Sequence, residues 1–578
     1  MRVKMKIDAA KVARIFNEMA DFLSIKGENP FRVRAYQKAA DALEHLSGDL
    51  ETLYHQGKLQ NIAGIGKGML EKVETILETG KLPAYEELKK EIPEGLRELL
   101  SIPEVGPKTV KVLYEKGDVK NIEDLEKFVQ SHKLRSLFGM GAKTEENILR
   151  GIKLYRSSKG RILLGKALPL VEKVVAELKS SVSPYIEKIS PAGSLRRGKE
   201  TIGDIDILVS SSNSSPIMDA FTHLSFVEEV LAKGKTKSSI LTDEGLQIDL
   251  RVVSPDSFGA ALQYFTGSKS HNINLREKAI RKGLKINEYG VFTQKGEKLA
   301  GRNEEDVYAS LSLPLIPPEL REDRGEVEAG EKRGLPELLK EEEIKGDLHI
   351  HSKASDGANS IEELIERAKQ KRYEYIAITD HSSSLKIAGG LSEDTLLQQI
   401  NRVREINSHL RGFKVFAGSE VDIRKDGSLD YPDEILKKLD IVIAAVHTNL
   451  KQDKKTMTDR VIKSLCNPFV RIFAHPTGRL LKEREAYSID LDKVLQVAQE
   501  KNIWIEINAQ PQRLDLTDLW IKEAKRRNVK LVINTDAHNL AGLDFISFGV
   551  ITARRGWLER KDVVNVLPLL DFLTLLSL

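Results

Sequence analysis

Two hydrophobic patterns divide this 578-residue chain. Through the first 155 residues, apolar positions recur every three to four residues, which predicts helices. From residue 346 onward, short apolar runs alternate with helical patterns, which predicts repeated strand-helix units. Seven of these runs end in a polar or charged group, and seven such units indicate a closed barrel whose chemistry lies at the carboxyl ends of its strands.

Three glycine-containing turns recur between the N-terminal helical segments, at residues 62–67, 102–108 and 137–143. Such a turn aims the amides at the start of the next helix toward one backbone phosphate, so binding does not depend on base sequence. One turn alone is usually only a turn, whereas three in register favour helix-hairpin-helix DNA binding. The second turn has Glu104 in place of its first glycine, so we expect it to bind least well. The predicted DNA contacts are Gly64, Gly66, Lys67, Gly106, Lys108, Gly139, Gly141 and Lys143.

Three aspartates predict a metal site for phosphoryl transfer. Asp204 and Asp206 stand two residues apart in an apolar run, so on a strand both face one side while the residues between face the core. Asp249 repeats this arrangement on a later strand. Converging carboxylates repel one another unless divalent cations lie between them, and two Mg²⁺ ions about 3.5 to 4 Å apart would serve the attacking and leaving oxygens. The alternative is a pair of edge strands with solvated carboxylates.

A predicted phosphate-binding turn precedes the aspartates. Gly193 and Ser194 favour a tight turn whose backbone amides hold a phosphate, and Arg197 adds positive charge. The turn, the paired aspartates and the third aspartate occur in order, and this set resembles the nucleotidyltransferase palm of family X DNA polymerases. The resemblance implies that the first two aspartates hold both metals and that the third holds the metal that activates the primer hydroxyl.

Residues 264–290 resemble the nucleotide-selecting thumb of the same family. The resemblance places Tyr264 and Phe265 against the incoming sugar. It places Asn272 and Arg276 at the minor-groove side of the nascent and template bases, where Arg276 contacts DNA. A Tyr-Phe pair by itself is more often part of a core. The nucleotide-binding residues implied are Gly193, Ser194, Arg197, Gly203, Tyr264, Phe265, Gly267 and Asn272.

The N-terminal region resembles the small DNA-binding domain of these polymerases, whose 5′-phosphate pocket matches residues 30–36. Lys72 corresponds by position to the lyase nucleophile of that domain. A lysine attacks an abasic sugar only where neighbouring charge or burial favours the neutral amine. Gly68 stands where eukaryotic members commonly have a lysine, and the alternative is that Lys72 is a solvated helix lysine.

Histidines mark the strand ends of the C-terminal region. Six of the chain's twelve histidines lie there, and of this region's seven only His409, in a predicted helix, does not. A lone histidine is more often structural, but six at equivalent strand ends indicate metal ligands. Imidazole with carboxylate and without thiolate suits Zn²⁺, Mn²⁺ or Fe²⁺. We expect the ligands to line an open rim, so that removing imidazoles leaves the barrel folded.

The same region resembles a PHP domain, the phosphoesterase domain of polymerases and histidinol phosphatases. The resemblance implies three divalent metals, Mn²⁺ or Zn²⁺, with Glu420 bridging two of them. Asp380, Glu506 and Asn508 are interpreted as supporting or core groups. The metal ligands that the two resemblances imply are Asp204, Asp206, Asp249, His349, His351, Asp356, His381, Glu420, His447, His475, Asp536 and His538, with Asp204, Asp206, Asp249 and Glu420 catalytic.

Composition narrows the class of protein. The length predicts three or more domains, and the single cysteine, Cys466, excludes a disulfide framework and thiolate metal sites. The formal net charge is only +4, so a nucleic-acid surface must come from local clusters and backbone amides. No apolar stretch approaches the ~20 residues of a membrane span, and the first residues carry no apolar signal core. We therefore expect a cytoplasmic, nucleoid-associated monomer.

The expected fold class is multidomain α+β and α/β, with a helical N-terminal region, a nucleotidyltransferase palm with a thumb, and a C-terminal distorted (β/α)7 barrel. A proline-rich and then highly charged run at residues 313–345 predicts an ordered hook and a solvated connector. The expected divisions are a DNA-binding domain at 1–90, a fingers-like hairpin region at 91–155, the palm at 156–255, the thumb at 256–318, a charged linker at 319–345 and the PHP domain at 346–578.

Together the resemblances identify a bacterial or archaeal family X DNA polymerase of the PolX type. They imply the filling of short gaps with dNTPs, on gapped or nicked duplex DNA, in base-excision repair, with two Mg²⁺ at the palm. They also imply a barrel that acts as a 3′–5′ exonuclease or 3′-end phosphoesterase, and they leave open whether it also cuts abasic sites. Two alternatives stay open: a non-catalytic scaffold that binds DNA ends, and a nucleotidyltransferase fused to a small-phosphoester phosphatase.

Overall fold

The N-terminal part of the protein is helical. The structure, a computed structural model, describes residues 9–44, 50–57, 59–61, 65–102, 105–137, 140–158 and 160–576. The helices up to residue 158 are Ala9–Lys26 (α1), Pro30–Glu44 (α2), Leu50–His55 (α3), Lys67–Thr79 (α4), Pro83–Glu91 (α5), Glu94–Leu99 (α6), Pro107–Gly117 (α7), Ile122–Gln130 (α8) and Ala142–Ser158 (α9). Apolar residues at the predicted spacing, among them Phe16, Val73 and Leu125, pack into one core.

A mixed sheet follows, in what we call the palm region. Its elements are Ile162–Leu163 (β1), Leu164–Val182 (α10), Lys188–Pro191 (β2), Gly193–Arg196 (α11), Thr201–Ile202 (β3), Asp204–Ser210 (β4), Ser215–Phe221 (α12), Val227–Lys233 (β5), Lys237–Thr242 (β6), Gln247–Val253 (β7) and Phe258–Thr266 (α13). Five strands form one sheet in the order β2-β4-β7-β6-β5. Only β4 and β7 run parallel in it, so their carboxylate-bearing ends lie side by side.

A smaller lobe, the thumb region, packs beyond α13. Its elements are Lys269–Arg281 (α14), Leu284–Asn287 (β8), Gly290–Thr293 (β9), Lys298–Ala300 (β10), Glu304–Ser310 (α15) and Glu326–Glu331 (α16). The three strands form an antiparallel sheet in the order β10-β9-β8.

The C-terminal region is a parallel barrel. Its elements are Gly346–Ile350 (β11), Ile361–Gln370 (α17), Tyr375–Ile378 (β12), Glu393–His409 (α18), Lys414–Asp422 (β13), Asp433–Leu436 (α19), Ile441–Ala445 (β14), Lys454–Leu465 (α20), Val470–Phe473 (β15), Leu491–Lys501 (α21), Trp504–Asn508 (β16), Asp518–Arg526 (α22), Leu531–Asn534 (β17), Ile546–Arg555 (α23) and Leu569–Leu576 (α24). The strands pair in sequence order from β11 to β17. A parallel bridge between Ile350 and Ala537 nearly closes the ring, which confirms the predicted seven-stranded barrel.

Alternation along the barrel strands separates an apolar half of the interior from a polar half. Phe416 and Glu420 share one face of β13, and Trp504 and Glu506 share one face of β16. The apolar member lies nearer the start of each strand, where Phe572 of α24 packs 5.8 Å from the Trp504 ring. The polar members therefore gather at the carboxyl ends.

The first part of the charged run before the barrel, residues 319–326, is not a solvated connector, and for this part the prediction is wrong. Arg321 is fully buried and donates to Glu304 Oε1 at 2.7 Å. Arg324 donates to Asp518 Oδ2 of the barrel at 3.0 Å. Most charges at residues 319–326 are paired with the palm, the thumb or the barrel, whereas residues 331–334 and 340–342 are exposed. A high charge content therefore did not mean exposure along the whole run.

The palm region and the barrel share a hydrophobic core. Leu514 and Phe548 of the barrel are buried in the same cluster as the palm strands. Arg479 of the barrel lies 2.7 Å from Glu200 at the edge of this contact. Among the described residues, no helix has the length and apolar character that crossing a membrane requires.

Candidate active sites

The three predicted aspartates meet at one end of the central sheet. Asp206 on β4 and Asp249 on β7 are opposite each other in the parallel register, and Asp204 is two residues before Asp206. Ile205 between them is fully buried, so alternation along the strand keeps the carboxylates away from the core. The pairing brings together two residues that are 43 positions apart in the sequence.

Electrostatics in this group reflect the proximity of like charges. Burial, together with the charges of Asp204 and Asp249, raises the pKa of Asp206 to about 6. Burial also acts to raise the pKa of Asp249, but hydrogen bonds from Lys237 and Gln247 hold it below its usual value. Lys237 Nζ lies 2.6 Å from Asp249 Oδ2. Sequence reasoning missed Lys237, because only the pairing of β6 with β7 brings it to the carboxylates.

The predicted phosphate-binding turn lies directly against one of these carboxylates. Gly193 has a φ of +60°, and a Cβ there would come 2.7 Å from Asp206 Oδ2. Both conformation and space therefore require glycine at this position. Ser194 follows in the single turn of α11, so the backbone at the start of this turn is fixed beside the aspartates.

Arg197 is held by the protein at the end of the same turn. Its Nε donates to Glu322 Oε1 at 3.0 Å, and its Nη1 donates to the carbonyl oxygen of Thr266 at 2.5 Å. Gly203, immediately before β4, faces the guanidinium of Arg161, where a Cβ would lie 3.1 Å from Nη1. The structure thus places Arg197 beside the turn with its guanidinium already bonded.

The predicted nucleotide-selecting residues occupy the corner between α13 and α14. The rings of Tyr264 and Phe265 lie 5.2 Å apart at 85°, and Gly267 ends α13 with a φ of +68°. The Asn272 side chain donates to the Tyr264 carbonyl oxygen at 2.8 Å. Arg276 Nε donates to the Asn272 carbonyl oxygen at 3.3 Å. These bonds fix the shape of the corner that carries the exposed Tyr264 ring.

The helical hairpins present open backbone at the start of their second helices. Gly66 and Gly106 precede α4 and α7 with nearly the same geometry, φ −79° with ψ 160° and 171°. A Cβ on Gly66, Gly106 or Gly141 would meet nothing within 4 Å. Neither backbone conformation nor internal packing requires glycine at these positions. Because glycine has no side chain, the neighbouring backbone amides stay accessible to a group from outside the protein. The lysines that follow, Lys67, Lys108 and Lys143, are exposed, and the predicted contacts Gly64 and Gly139 lie outside the described residues.

Lys72 lies on α4, half-buried beside Tyr36. Its Nζ donates to the Gly68 carbonyl oxygen at 2.8 Å and lies 5.9 Å from the centre of the Tyr36 ring. Among the described residues, no acidic side chain is bonded to Lys72. The side chain is also not fully buried.

The nine predicted ligands of the barrel converge at the carboxyl ends of its strands. Three overlapping groups each have their potential ligand atoms within 4.8 Å of one another. The groups are His351, Asp356, His381 and His538; His349, His351 and Asp536; and His381, Glu420 and His447. His475 joins them through Nε2, which lies 2.9 Å from Glu420 Oε1.

Glu420 is the centre of this cluster, with imidazoles on both of its oxygens. The distances to its carboxylate are 2.8 Å from His381 Nδ1, 2.9 Å from His475 Nε2, 3.3 Å from His447 Nε2, 3.4 Å from His349 Nε2 and 3.6 Å from His351 Nε2. The carboxylate therefore lies within 3.6 Å of five of the six imidazoles of the cluster.

The donor atoms of the cluster fit divalent metals. Within the described chain, two of its buried imidazole nitrogens, His349 Nε2 and His351 Nδ1, have no hydrogen-bond partner. A buried polar atom without a partner costs about 1–3 kcal/mol. Cations coordinated by these atoms would remove that cost, and the imidazole-carboxylate set suits Zn²⁺, Mn²⁺ or Fe²⁺.

Carboxylates behind the histidines orient them. Glu506 Oε1 accepts from His349 Nδ1 at 2.7 Å, and Asp422 Oδ1 accepts from His447 Nδ1 at 2.7 Å. Each bond leaves the Nε2 atom of the imidazole directed at the cluster. Sequence reasoning missed Asp422, although its spacing of two from Glu420 on β13 is a signal that it shares that face.

The expectation of an open rim is wrong for part of this cluster. His349 and His351 are both fully buried. The reason is that the loops after the strands fold over the barrel mouth, where the main chain of Gly357 lies so close to His351 that a Cβ would come 2.3 Å from its carbonyl oxygen. Removing these imidazoles would leave buried space and unpaired carboxylates.

The pKa values of neighbouring imidazoles in the cluster are shifted in opposite directions. Burial lowers the pKa of His381 and His447, but Glu420 outweighs it and raises them to about 10 and about 9. Burial, followed by the charges of His538 and His381, lowers the pKa of His351 to about 4. Groups packed this closely cannot all carry charge, and bound cations would take the place of the protons.

Models of known protein families match five stretches of the chain. The matches are a helix-hairpin-helix domain at residues 8–82, a SAM-like helix-hairpin-helix tandem at 96–153, a DNA polymerase beta palm at 167–264, a DNA polymerase beta thumb at 261–322 and a PHP domain at 347–510. The three-aspartate site lies inside the palm match. Most of the imidazole cluster lies inside the PHP match, and Asp536 and His538 lie beyond it.

Curated relatives match either nearly the whole chain or one part of it. The "DNA polymerase/3'-5' exonuclease PolX" of Bacillus subtilis (strain 168) is 40% identical over 563 residues, 97% of this chain and 98% of that protein. The "DNA polymerase lambda" of Rattus norvegicus is 27% identical over 334 residues, 53% of this chain and 54% of that protein. A "Probable phosphatase" of Thermoanaerobacter sp. (strain X514) is 32% identical over 203 residues, 33% of this chain and 78% of that protein. The first similarity extends over nearly the whole chain.

Proposed function

The chain belongs to the PolX family, in which a family X DNA polymerase is joined to a PHP domain, and from that premise we propose that it fills short gaps in DNA and hydrolyses 3′ ends in its barrel. One observation carries the proposal. The same chain holds a three-aspartate group in the palm region and a cluster of nine imidazole and carboxylate side chains in the barrel. Each group suits phosphoryl chemistry, and together they suit synthesis and trimming of one DNA end.

In the palm region, Asp204, Asp206 and Asp249 would hold two Mg²⁺, which supply Lewis acidity to the primer hydroxyl and the triphosphate. The amides of the turn that begins at Gly193 bind the phosphates, because this turn is fixed against Asp206. The exposed ring of Tyr264 lies against the incoming sugar. Substrate positioning of this kind, not covalent chemistry by the protein, provides most of the rate.

In the barrel, the nine ligands would hold three divalent ions, Mn²⁺ or Zn²⁺, which supply a nucleophile and Lewis acid for hydrolysis of a phosphodiester. Glu420 holds the imidazoles around one centre, while Glu506 and Asp422 fix ring orientation. Arg513 Nε lies 3.8 Å from Asp536 Oδ2, so a cation is available beside the cluster for the departing phosphate.

The substrate is a gapped or nicked duplex, which the three hairpins bind through its backbone. We assign residues 1–155 to DNA binding, 156–318 to nucleotide addition and 346–578 to hydrolysis, with 319–345 joining them. The protein acts as a monomer at the nucleoid, in repair of the base-excision type. The accessible amides after Gly66, Gly106 and Gly141 support the DNA assignment.

The test uses a 5′-labelled primer next to a one-nucleotide gap and a duplex with a recessed 3′ end, each with and without dNTPs, in Mg²⁺ or Mn²⁺. With dNTPs the gapped primer is expected to gain one nucleotide, and without them the recessed end is expected to shorten. Asp204→Asn should stop extension and spare shortening, while Glu420→Gln should do the reverse. A single variant that stopped both reactions would contradict two separate centres.

The imidazole cluster also favours a second candidate, a phosphatase for small phosphoesters, because a relative named as a phosphatase shares a third of the chain. Release of inorganic phosphate from a small monoester, with no shortening of DNA, would favour that candidate. Two further proposed activities, cleavage at abasic sites and the lyase reaction, are tested by separate assays. Cleavage of a duplex at an abasic site tests the barrel, and borohydride trapping of Lys72 against Lys72→Ala tests the lyase.

A further inference from the structure

The barrel touches the phosphate-binding turn of the palm region. At the start of the turn, Gly193 lies against the Asp206 carboxylate. At its end, Gly198 has a φ of +64° and faces Ile551 of α23, where a Cβ would come 2.2 Å from Ile551 Cγ2. One six-residue turn therefore connects a candidate metal ligand of the palm with a helix of the barrel.

Arg555, the last residue of α23, binds this turn directly. Its Nη1 donates to the carbonyl oxygen of Arg197 at 2.6 Å and to Glu322 Oε1 at 3.1 Å. Its Nη2 donates to Asp518 Oδ2 at 2.6 Å. The side chain is only 2% exposed, so these bonds replace solvent almost completely. A guanidinium satisfies three acceptors in fixed directions, which a lysine ammonium at the same place does not reproduce.

Glu322 joins the two arginines. Its Oε1 accepts from Arg197 Nε at 3.0 Å as well as from Arg555 Nη1. Arg555 therefore acts on Arg197 in two ways. It donates directly to the Arg197 carbonyl oxygen, and it binds the Glu322 carboxylate that also accepts from the Arg197 guanidinium. Both arginines and Glu322 are largely buried, so screening by solvent is weak, and loss of Arg555 removes one donor from Glu322 and one from the Arg197 carbonyl oxygen.

We infer that Arg555 of the barrel is a positioning residue for nucleotide addition, because it holds the turn at residues 193–198 in the place where that turn meets the triphosphate. This inference rests on the proposed polymerase function. It gives the barrel a part in synthesis that does not depend on the imidazole cluster. Asp206 is fixed independently by the register of β4 and β7, so a loosened turn weakens nucleotide binding more than the chemical step.

The neighbouring residue provides a matched control. Arg554 lies on the same helix and at the same contact, where its Nε donates to Glu319 Oε1 at 2.7 Å and its Nη1 donates to the Leu339 carbonyl oxygen at 2.9 Å. It makes no bond to the turn among those of the described residues. Replacing Arg554 therefore weakens the contact between barrel and linker without releasing the turn.

The experiment compares the full-length wild type with Arg555→Lys, Ile551→Ala and Arg554→Ala. The KM for dNTP and the kcat are measured on a one-nucleotide gap, and 3′-end hydrolysis and the melting temperature are measured on the same preparations. We expect Arg555→Lys to raise the KM about tenfold, the loss typical of one charge-assisted hydrogen bond, with kcat changed less than about twofold and hydrolysis unchanged. Ile551→Ala should raise the KM by less, and Arg554→Ala should leave it at the wild-type value even if melting falls.

The outcomes separate the inference from its premise. If the wild type did not extend the primer, the proposed function and the inference would both fail. If the wild type extends it and Arg555→Lys keeps the wild-type KM, only the inference is overturned. The inference is also overturned if Arg554→Ala raises the KM as much as Arg555→Lys does. It is overturned as well if synthesis, hydrolysis and the melting temperature all decline together. In either case a general loosening of the contact between barrel and palm would explain the data. Should Arg555→Lys fail to fold, the KM of Ile551→Ala decides.

Discussion

Replacing Glu506 with glutamine tests whether the carboxylates behind the barrel histidines set their affinity for metal. Glu506 is fully buried, and each of its partners is a donor. Its Oε1 accepts from His349 Nδ1 at 2.7 Å and from Asn534 Nδ2 at 2.9 Å. Its Oε2 accepts from the His475 amide at 2.8 Å and from Asn508 Nδ2 at 3.1 Å. A glutamine amide group would confront a donor in either orientation.

The size of the effect follows from those bonds. If the glutamine side chain turns its oxygen toward His349, its NH₂ group faces the His475 backbone amide, which is also a donor. In both orientations the negative charge that strengthens the bond to His349 is lost. Hydrogen bonds to charged groups contribute about 1.5–3 kcal/mol, and 1.4 kcal/mol corresponds to a factor of ten. We therefore expect the metal affinity of the barrel to fall roughly ten- to a hundredfold, the range typical of such outer carboxylates.

The assay is activation of 3′-end hydrolysis by Mn²⁺ added to metal-stripped protein, with melting measured in parallel. Glu326→Gln is a matched control, because Glu326 is equally buried and accepts from His271 Nδ1 at 2.7 Å, but lies on α16, outside the barrel. Both variants should melt earlier, but only Glu506→Gln should need more Mn²⁺. An unchanged Mn²⁺ requirement in Glu506→Gln, or an equal shift in Glu326→Gln, would refute the reasoning.

Three further predictions concern the remaining parts of the molecule. Asp249→Ala should lower nucleotide addition at least 10²-fold and leave hydrolysis unchanged, and near-normal primer extension would remove it from the palm site. Lys67→Ala or Lys143→Ala should flatten the salt dependence of gapped-DNA binding by up to about one unit each, without changing sequence preference, as measured by binding across a salt series. The double variant His349→Ala/His351→Ala should abolish hydrolysis and spare gap filling. It should also destabilise the barrel by roughly 3 kcal/mol or more, because buried carboxylates lose their partners. A melting temperature by circular dichroism equal to that of the wild type would contradict this.

Local pattern was enough for the fold class and for the kind of chemistry. The spacing of two between Asp204 and Asp206 follows from strand alternation, and the histidines at strand ends follow from the geometry of parallel barrels. Both depend on a few neighbouring residues, so they are readable from the chain. The seven-stranded barrel and the family membership are confirmed. The individual roles of the site residues stay predictions.

Tertiary structure decided what depends on distant partners and on burial. The sequence does not show that Lys237 lies beside Asp249, because that contact requires β6 to pair with β7. It does not show that Arg321 is buried, because its charge is compensated by a residue of the thumb. Nor does it show that Arg555 of the barrel holds the palm turn, 358 positions away at Arg197. Periodicity is a local property, whereas strand order, desolvation and long-range ion pairs arise only when the whole chain is packed.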